Sequence, residues 1–389
     1  MSKNKKKKYY LFLLNFLIII IIYSFTKKNI LIKYKKYILK RKKPIKINTI
    51  KQNNSINYTN PFISVCLPVY NMEKYIERSL LSIINQSFQN FEVIIVNDNS
   101  KDQTLKSIQR LQSEDSRIKI INHNKNLGVY SSRIEAVLYS KGEYILLIDP
   151  DDMILNPKLF EELFNYNLKY QLDIIEFSVF YQKERENIIY IPSEHENNHF
   201  HRFKKRIIYQ PELSNILFCQ PNLNNYSSIM CRTIWNKLYK KNILIKTINY
   251  IEKEFHNKFL VAADDTPINM ITFQFANNYS NIFLPGYLYF LRENSMSTNL
   301  KDNNHFKIVC INYLLYFRLL YRYIKDFNKD LNYFYYDLMP FSSYIKGLKE
   351  FNITEYIPKA KEFLNNIINN KKISCELNKF INNLILYFK

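Results

Sequence analysis

The chain has 389 residues, of which 47% are hydrophobic and 16% aromatic, so it can bury a sizeable core and is not a disordered polymer. Its net charge of +22 is concentrated in the first 60 residues, which hold 16 of the 56 Lys and Arg residues and no acidic residue. The remainder carries 40 basic against 34 acidic residues, too even a balance to favour a nucleic-acid-binding protein. Five widely spaced cysteines without a C-x-x-C pair argue against a disulfide framework or a zinc ribbon.

The N-terminal region predicts a membrane anchor. A basic tail, residues 1–8, precedes an apolar run over residues 9–25, long enough as a helix to span about 25 Å. The run ends in Tyr23-Ser24-Phe25 instead of the small residues of a cleavage site, which favours an uncleaved single-pass helix. A basic stem, residues 26–60, follows. Lysines flank both ends, so charge does not decide the orientation; the expected location is the Golgi or ER in a eukaryote and the inner membrane in a bacterium.

Beyond the stem, short apolar runs alternate with helical stripes. Strands are predicted over 62–67, 91–96, 117–121, 144–148 and 173–179, and helices within 73–86, from Ser100, over 129–139 and over 157–170. This alternation predicts an α/β fold with a doubly wound, mostly parallel sheet flanked by helices. Aromatic-rich helices over 306–323, 331–349 and 356–369 predict a helical C-terminal subdomain. The predicted domains are therefore a catalytic domain over 61–298 and a helical subdomain over 299–389.

Polar side chains follow three of the predicted strands. The first strand runs into Tyr70 and Asn71, the second into Asp98, and the fourth into Asp149, Asp151 and Asp152. Because parallel strands end at the same edge of a sheet, these loops are expected to form one binding site. Carboxylates this close repel one another unless a cation joins them, and carboxylate and phosphate oxygens are the ligands of Mg²⁺ or Mn²⁺. The spacing therefore predicts a metal–diphosphate site.

Three segments carry a resemblance to a known family. In order, ISVCLPVYN, FEVIIVNDNSKDQT and NKNLGVYSSRIEAVLYSKGEYILLIDPDD resemble the family 2 glycosyltransferases, which have the GT-A fold. Three weaker segments are similar to that family's acceptor-side segment, acidic base motif and closing loop: Ile234–Leu238, Ala263–Asp265 and Tyr289–Ser297. The resemblance implies an enzyme that moves a sugar from a nucleotide-sugar to an acceptor.

The resemblance also implies a nucleotide site. Pro68, Tyr70 and Asp98 would hold the nucleobase and ribose, with Asp98 accepting a hydrogen bond from the base. Arg133 would lie near the nucleotide. The family often has Asp-Asp-Gly-Ser where this chain has Asn97-Asp98-Asn99-Ser100, so contacts to the nucleotide are expected to differ in detail.

The carboxylates receive their roles from the same resemblance. Asp149 and Asp151 would be the Asp-x-Asp pair that binds ribose and metal, and Asp265, preceded by Asp264, would be the general base. The family often has Glu-Asp where this chain has Asp264-Asp265. Which of these two carboxylates is the base therefore stays open.

A mechanism follows from these roles. A divalent cation, Mn²⁺ or Mg²⁺, neutralises the departing diphosphate, while a carboxylate takes the proton of the acceptor hydroxyl as it attacks the anomeric carbon. One metal side and one base side imply inversion of configuration. The implied donor is a UDP-sugar, and the implied partners are a glycan, lipid or protein acceptor and the membrane.

Two other functions remain open on the sequence. The fold could persist as an inactive binding or scaffold protein, although each carboxylate that the reaction needs is present. A nucleotidyltransferase is expected to have a glycine-rich loop after the first strand, and here that loop reads PVYNMEKY. The single tryptophan, Trp235, is predicted equally to stack on an acceptor sugar or to pack in the core.

Overall fold

The computed structural model describes residues 60–184, 189–190, 207–213, 233–260, 264–292 and 303–329, with isolated helical positions between 358 and 382. All of them belong to one compact unit, Tyr58–Lys389. Among these residues there is no helix whose length and hydropathy suit a membrane span. The predicted tail, anchor and all but the last residue of the stem lie outside the described residues.

The first half of the unit alternates strictly between strands and helices. In chain order it contains β1 (Ile63–Val69), α1 (Ile76–Ile84), β2 (Phe91–Asn97), α2 (Thr104–Glu114), β3 (Ile118–Asn122), α3 (Val129–Tyr139) and β4 (Tyr144–Leu147). The sequence-based elements are confirmed here, except that α2 begins at Thr104 and not near Ser100. The Ser100 hydroxyl accepts the N–H of Asn71 instead, and the Asp102 carboxylate accepts the N–H of Thr104.

The second half is less regular. It contains β5 (Met153–Ile154), α4 (Leu159–Tyr170), β6 (Ile174–Lys183), β7 (Ile189–Tyr190), β8 (Ile207–Tyr209), β9 (Lys237–Lys240), α5 (Lys241–Phe255), α6 (Asp265–Phe275), β10 (Asn278–Leu291) and α7 (Asn303–Asp326). Patterns in the sequence predict α4 and the start of β6, but no element between residues 180 and 302. The short strands of this half are too brief to show a period.

The strands form one mixed sheet. Its order is β3-β2-β1-β4-β9-β6-β10-β5, with β7 beside β6 and β8 beside β10. The first four strands in this order are parallel, whereas β9 runs antiparallel to both β4 and β6. Strands β5 and β8 are likewise antiparallel to β10. Beyond β4 the sheet is mixed: β10 pairs with β6 in parallel, whereas the other pairings there are antiparallel. Apolar runs do not predict this difference, because they report burial and not strand direction.

The core lies in two layers, one on each face of the sheet. Every residue of β1 and β2 is buried, as expected for strands covered on both faces. Within β1, Val65 and Leu67 pack with α1, α2 and α4 on one face, whereas Cys66 packs with α3, α5, α6 and α7 on the other. This packing holds the carboxyl ends of the parallel strands rigidly in place.

The predicted C-terminal helices are only partly described. Helix α7 confirms the stretch predicted over 306–323, and its Leu320 and Tyr323 pack in the same core layer as α5 and α6. The Tyr323 hydroxyl also donates to Gln274 at the end of α6, at 2.9 Å. The helix predicted over 331–349 lies outside the described residues. Of that over 356–369, the described positions are helical, and Leu364 is buried.

Candidate active site

The loops after β1 and β2 are tied together at the carboxyl edge of the sheet. The Asn71 N–H donates to the Ser100 hydroxyl at 3.0 Å, and the Met72 N–H donates to the Thr104 hydroxyl at 2.7 Å. The Lys101 N–H returns a bond to the Asn71 amide oxygen at 2.8 Å. These bonds between backbone and side chain make the two loops one rigid wall, as a binding site on loops requires.

Two of the predicted nucleotide-binding residues lie on this wall. Pro68 is the sixth residue of β1, buried and paired opposite Val96 of β2. Tyr70 follows the strand, and 41% of it is exposed. An exposed aromatic ring beside a rigid loop can stack on a nucleobase. The placement is compatible with the predicted role of Tyr70, which stays a prediction.

Arg133 joins three of the predicted carboxylates. Its Nη2 lies 2.6 Å from Asp149 Oδ1, and its Nη1 lies 2.6 Å from Asp264 Oδ2 and 2.7 Å from Asp265 Oδ1. The Arg133 side chain is only 6% exposed. The guanidinium therefore connects the turn after β4 with the start of α6, which are distant in the sequence. The structure brings the predicted metal side and base side together through this residue.

The electrostatics of this cluster favour a proton on Asp265. Burial raises the pKa of Asp265 to about 8, the Asp264 and Asp149 carboxylates add to the rise, and the Arg133 guanidinium opposes it. The same three carboxylates outweigh the effect of burial on Arg133 and hold its pKa well above the ordinary value. Asp264 is buried, whereas 28% of the Asp265 side chain stays exposed. Asp265 is therefore the carboxylate of the pair that solvent can reach.

Asp151 and Asp152 are held by a second set of contacts. Arg292 Nε lies 2.6 Å from Asp151 Oδ2, and Arg78 Nη2 donates to the Asp151 carbonyl at 2.6 Å. The Tyr287 hydroxyl donates to Asp152 Oδ2 at 2.6 Å, and the Phe290 N–H to Asp152 Oδ1 at 2.7 Å. Asp152 thus fastens the acidic turn to β10, while Asp151 faces the two arginines.

Burial raises the pKa of two carboxyl groups in this turn. Burial raises the pKa of Asp151, with Asp149 adding to the rise and Arg292 opposing it. Burial, together with the Asp151 and Asp149 carboxylates, raises the pKa of Asp152 well above its ordinary value. The carboxylates of the turn therefore disfavour one another's ionised form, and a bound cation would counteract that effect.

Asp98 lies apart from the Arg133 cluster and is already well bonded. Its Oδ1 accepts the Leu127 N–H at 2.8 Å, and its Oδ2 accepts the Gly128 N–H at 2.9 Å. His123 Nδ1 lies 2.7 Å from the same Oδ1. Asp98 therefore shapes the turn before α3, and its predicted bond to the nucleobase would use the remaining capacity of Oδ2.

Several residues of the site escaped the sequence analysis. Arg78, Tyr287 and Arg292 contact the acidic turn, and His123 contacts Asp98. Only His123 left a usable signal, since it comes directly after β3 and therefore belongs to the same edge as Asp98. Arg78 lies on α1, Tyr287 lies on β10 and Arg292 directly follows β10, so their approach to the turn depends on the tertiary fold.

The alternative for Trp235 is settled in favour of the core. Only 5% of this residue is exposed. Its ring stacks on Tyr287, with centroids 4.6 Å apart, and on Tyr289 at 5.2 Å. Since the Tyr287 hydroxyl also donates to Asp152, Trp235 supports the acidic turn indirectly, through Tyr287.

Two comparisons with known proteins bear on the part of the chain that contains the acidic turn. The family model described as glycosyl transferase family 2 matches residues 64–246, which include β1–β4 and the acidic turn. This part of the chain is therefore similar to glycosyltransferase family 2. The chain is 27% identical to the uncharacterized glycosyltransferase EpsJ of Bacillus subtilis, over 61% of this chain and 62% of that protein. The chain thus spans less than two thirds of this relative's length.

Two further similarities bear on the fold and on relatives with a named reaction. The chain resembles the crystal structure of S. aureus TarS in complex with UDP-GlcNAc, with a TM-score of 0.53 and 19% identity, over 84% of this chain and 88% of that one. It is also 35% identical to a Campylobacter jejuni GalNAc(5)-diNAcBac-PP-undecaprenol beta-1,3-glucosyltransferase, over 25% of this chain and 32% of that protein. The first similarity bears on the fold of this chain alone.

Proposed function

We propose that the protein is an inverting glycosyltransferase, which moves a sugar from a nucleotide-diphosphate sugar to an acceptor hydroxyl. One observation carries the proposal. A single buried guanidinium, that of Arg133, lies within 2.7 Å of Asp149 on the donor side and of Asp265 on the base side. Carboxylates for the leaving group and for the nucleophile thus meet at the edge where α/β sheets bind ligands.

The donor is the part of the proposal with the broadest support. The tied loops after β1 and β2 form a wall with the exposed ring of Tyr70, and Asp98 offers a carboxylate close by. The structurally similar TarS was solved with UDP and with UDP-GlcNAc. A UDP-sugar is therefore the donor that we propose for this chain.

A divalent metal fits the carboxylates of the acidic turn. The described residues include no group of three or more His, Cys, Asp or Glu side chains arranged to hold a metal. Mg²⁺, however, is commonly bound by one or two carboxylates together with substrate phosphates. Asp149 and Asp151 suit that mode, since Arg133 and Arg292 each contact only one oxygen of their carboxylate. When bound there, Mn²⁺ or Mg²⁺ would neutralise charge on the departing diphosphate.

Asp265 is the general base that we propose. Its side chain reaches the surface at the first turn of α6, and its raised pKa makes the ionised form a stronger proton acceptor. Arg133 orients the carboxylate through Oδ1, which leaves Oδ2 for the acceptor hydroxyl. Asp264 is buried and serves to hold Arg133.

The proposal is tested by incubating the full chain with a panel of nucleotide-sugars and Mn²⁺ and measuring release of nucleoside diphosphate. We expect release from a UDP-sugar that increases when glycan or lipid-linked glycan acceptors are added. A nucleotidyltransferase would instead consume nucleoside triphosphate and release pyrophosphate. A scaffold protein would bind the nucleotide without turnover. Either of these results would refute the proposal.

The metal site makes a separate prediction. If Mn²⁺ and UDP share the site, each raises the other's affinity by the same factor, typically about 5- to 150-fold. Asp151→Asn should remove most of that factor, because it removes a charged ligand, while UDP binding without metal stays nearly unchanged. Calorimetric titration with UDP, with and without Mn²⁺, measures this. The control is Asp326→Asn, which replaces an exposed carboxylate at the end of α7. Equal coupling between Mn²⁺ and UDP in the two variants would exclude Asp151 as a metal ligand.

We further propose that residues 9–25 anchor the protein in a membrane as a single-pass helix. The full chain should sediment with membranes and resist extraction by alkaline carbonate, since a helix of about 17 to 25 mostly apolar residues can span a bilayer. A chain that begins at Asn60 should be soluble and should retain turnover. Recovery of the full chain in the carbonate supernatant would contradict the anchor without affecting the proposed chemistry.

A further inference from the structure

His123 lies between two carboxylates at the carboxyl edge of the sheet. It follows β3 directly, and only 6% of its side chain is exposed. Its Nδ1 lies 2.7 Å from Asp98 Oδ1, and its Nε2 lies 2.5 Å from Glu135 Oε2 on α3. The ring therefore bridges the end of β2 to the helix that carries Arg133.

These contacts define the charge of the ring. Asp98 and Glu135 are the charged groups that face it, from β2 and α3; its own strand contributes the neutral Asn122, whose amide oxygen accepts from Asn97. A neutral imidazole has one N–H, so only the doubly protonated ring can donate to both carboxylates. Burial disfavours the charged ring, but the two carboxylates outweigh it and raise the pKa of His123.

The ring acts on the turn before α3 through Asp98. The Asp98 carboxylate accepts the N–H groups of Leu127 and Gly128. Gly128 has a φ of +89°, and a Cβ added there would lie 2.5 Å from the Leu260 carbonyl oxygen. The turn thus has one tightly constrained conformation, and α3 begins immediately after it. If Asp98 were displaced, the turn would lose two hydrogen bonds, and the nucleobase would lose its proposed acceptor.

We propose that protonated His123 is a positioning residue for the nucleotide: it holds Asp98 in place as the acceptor for an N–H of the nucleobase. The inference rests on the proposed function, since it assumes that a nucleotide binds at this edge. His123 itself does not contact the reacting atoms. It should therefore affect donor binding, seen in Kd and KM, and leave kcat nearly unchanged.

The pH dependence has a definite sign. The ring supports binding while it is protonated, so donor affinity is complete below the raised pKa of His123 and declines as pH rises through it. Removing the Glu135 carboxylate lowers that pKa, because one of two opposite charges is lost. In Glu135→Gln the decline should therefore begin at a lower pH. In His123→Gln the affinity relative to wild type should be lowest at acidic pH and approach it as pH rises.

The test is calorimetric titration of the full chain in detergent with UDP between pH 6 and 8.5. Each variant is compared with wild type at the same pH, which cancels the titration of UDP itself. At pH 6, His123→Gln should bind about ten-fold more weakly, the scale of one charged hydrogen bond. His256→Gln is the matched control, since His256 pairs with Glu252 at 3.1 Å but is 72% exposed, and it should bind as wild type does.

Two results would overturn the inference. One is wild-type UDP affinity in His123→Gln at every pH; the other is an unchanged pH profile in Glu135→Gln, which serves as the deciding variant if His123→Gln does not fold. If wild type binds UDP and either result is found, the inference alone fails. If wild type binds no UDP, the proposed donor site fails with it.

Discussion

Replacing Asp265 by Asn should lower kcat by about 10²- to 10⁴-fold, the usual contribution of general-base catalysis. The amide keeps a hydrogen bond to Arg133 but cannot take the proton of the acceptor hydroxyl. Binding of UDP should remain close to that of wild type, because Asp265 lies on the base side of the cluster. Single-turnover assays and UDP titration on the same preparation separate these two effects.

Asp264→Asn is the comparison for this experiment. Asp264 is buried and contacts Arg133 Nη1 at 2.6 Å, so its replacement should mainly reduce stability, with a smaller effect on kcat. An inactive 264 variant beside an active 265 variant would exchange the two roles. Normal transfer by both variants would place the base elsewhere in the protein.

The raised pKa of Asp265 leads to a prediction for the pH dependence of kcat/KM. The base acts only when ionised, and the pKa of Asp265 is raised to about 8. In wild type, kcat/KM should therefore rise with pH and level off above about 8. In Asp265→Asn this rise should be absent. Measured profiles with one UDP-sugar and one acceptor decide the matter, and an identical rise in both proteins would assign it to another group.

Arg133→Met should lower the free energy of unfolding by about 3–5 kcal/mol at pH 7, because removing one partner of a buried ion pair leaves uncompensated charge. Here three carboxylates, Asp149, Asp264 and Asp265, would lose their shared guanidinium. Denaturant titration of wild type and variant measures the difference.

The control for Arg133 is an exposed arginine that also contacts more than one carboxylate. Arg110 pairs with Glu77 at 2.8 Å and Glu114 at 3.1 Å, but 47% of its side chain is exposed. Arg110→Met should therefore cost only about 0.2–1 kcal/mol. Arg133→Lys should lie between the two, since an ammonium retains the charge but lacks the planar fork that reaches three carboxylates. Equal losses at 110 and 133 would show that the cluster is solvated.

The positions with strong local signals were predictable from the sequence. Strands β1 and β2 are buried on both faces, and the short apolar runs that result can be recognised in the sequence. Helix α3 was placed over 129–139, as found. The acidic turn after β4 could be assigned to a binding edge because parallel strands end together. The roles of its residues, however, came from the resemblance to family 2 glycosyltransferases and not from their spacing.

Strand direction and long-range ion pairs could be determined only from the tertiary structure. The antiparallel entry of β9 between β4 and β6 leaves no trace in an apolar run. The contacts of Arg133 with Asp264 and Asp265 join residues more than 130 positions apart, and those of Arg292 with Asp151 span 141 positions. Hydrophobic periodicity depends on neighbours within a few residues, so it determines which segments are buried. Which charged residues share a site depends on contacts between segments far apart in the sequence, and only the tertiary structure shows those contacts.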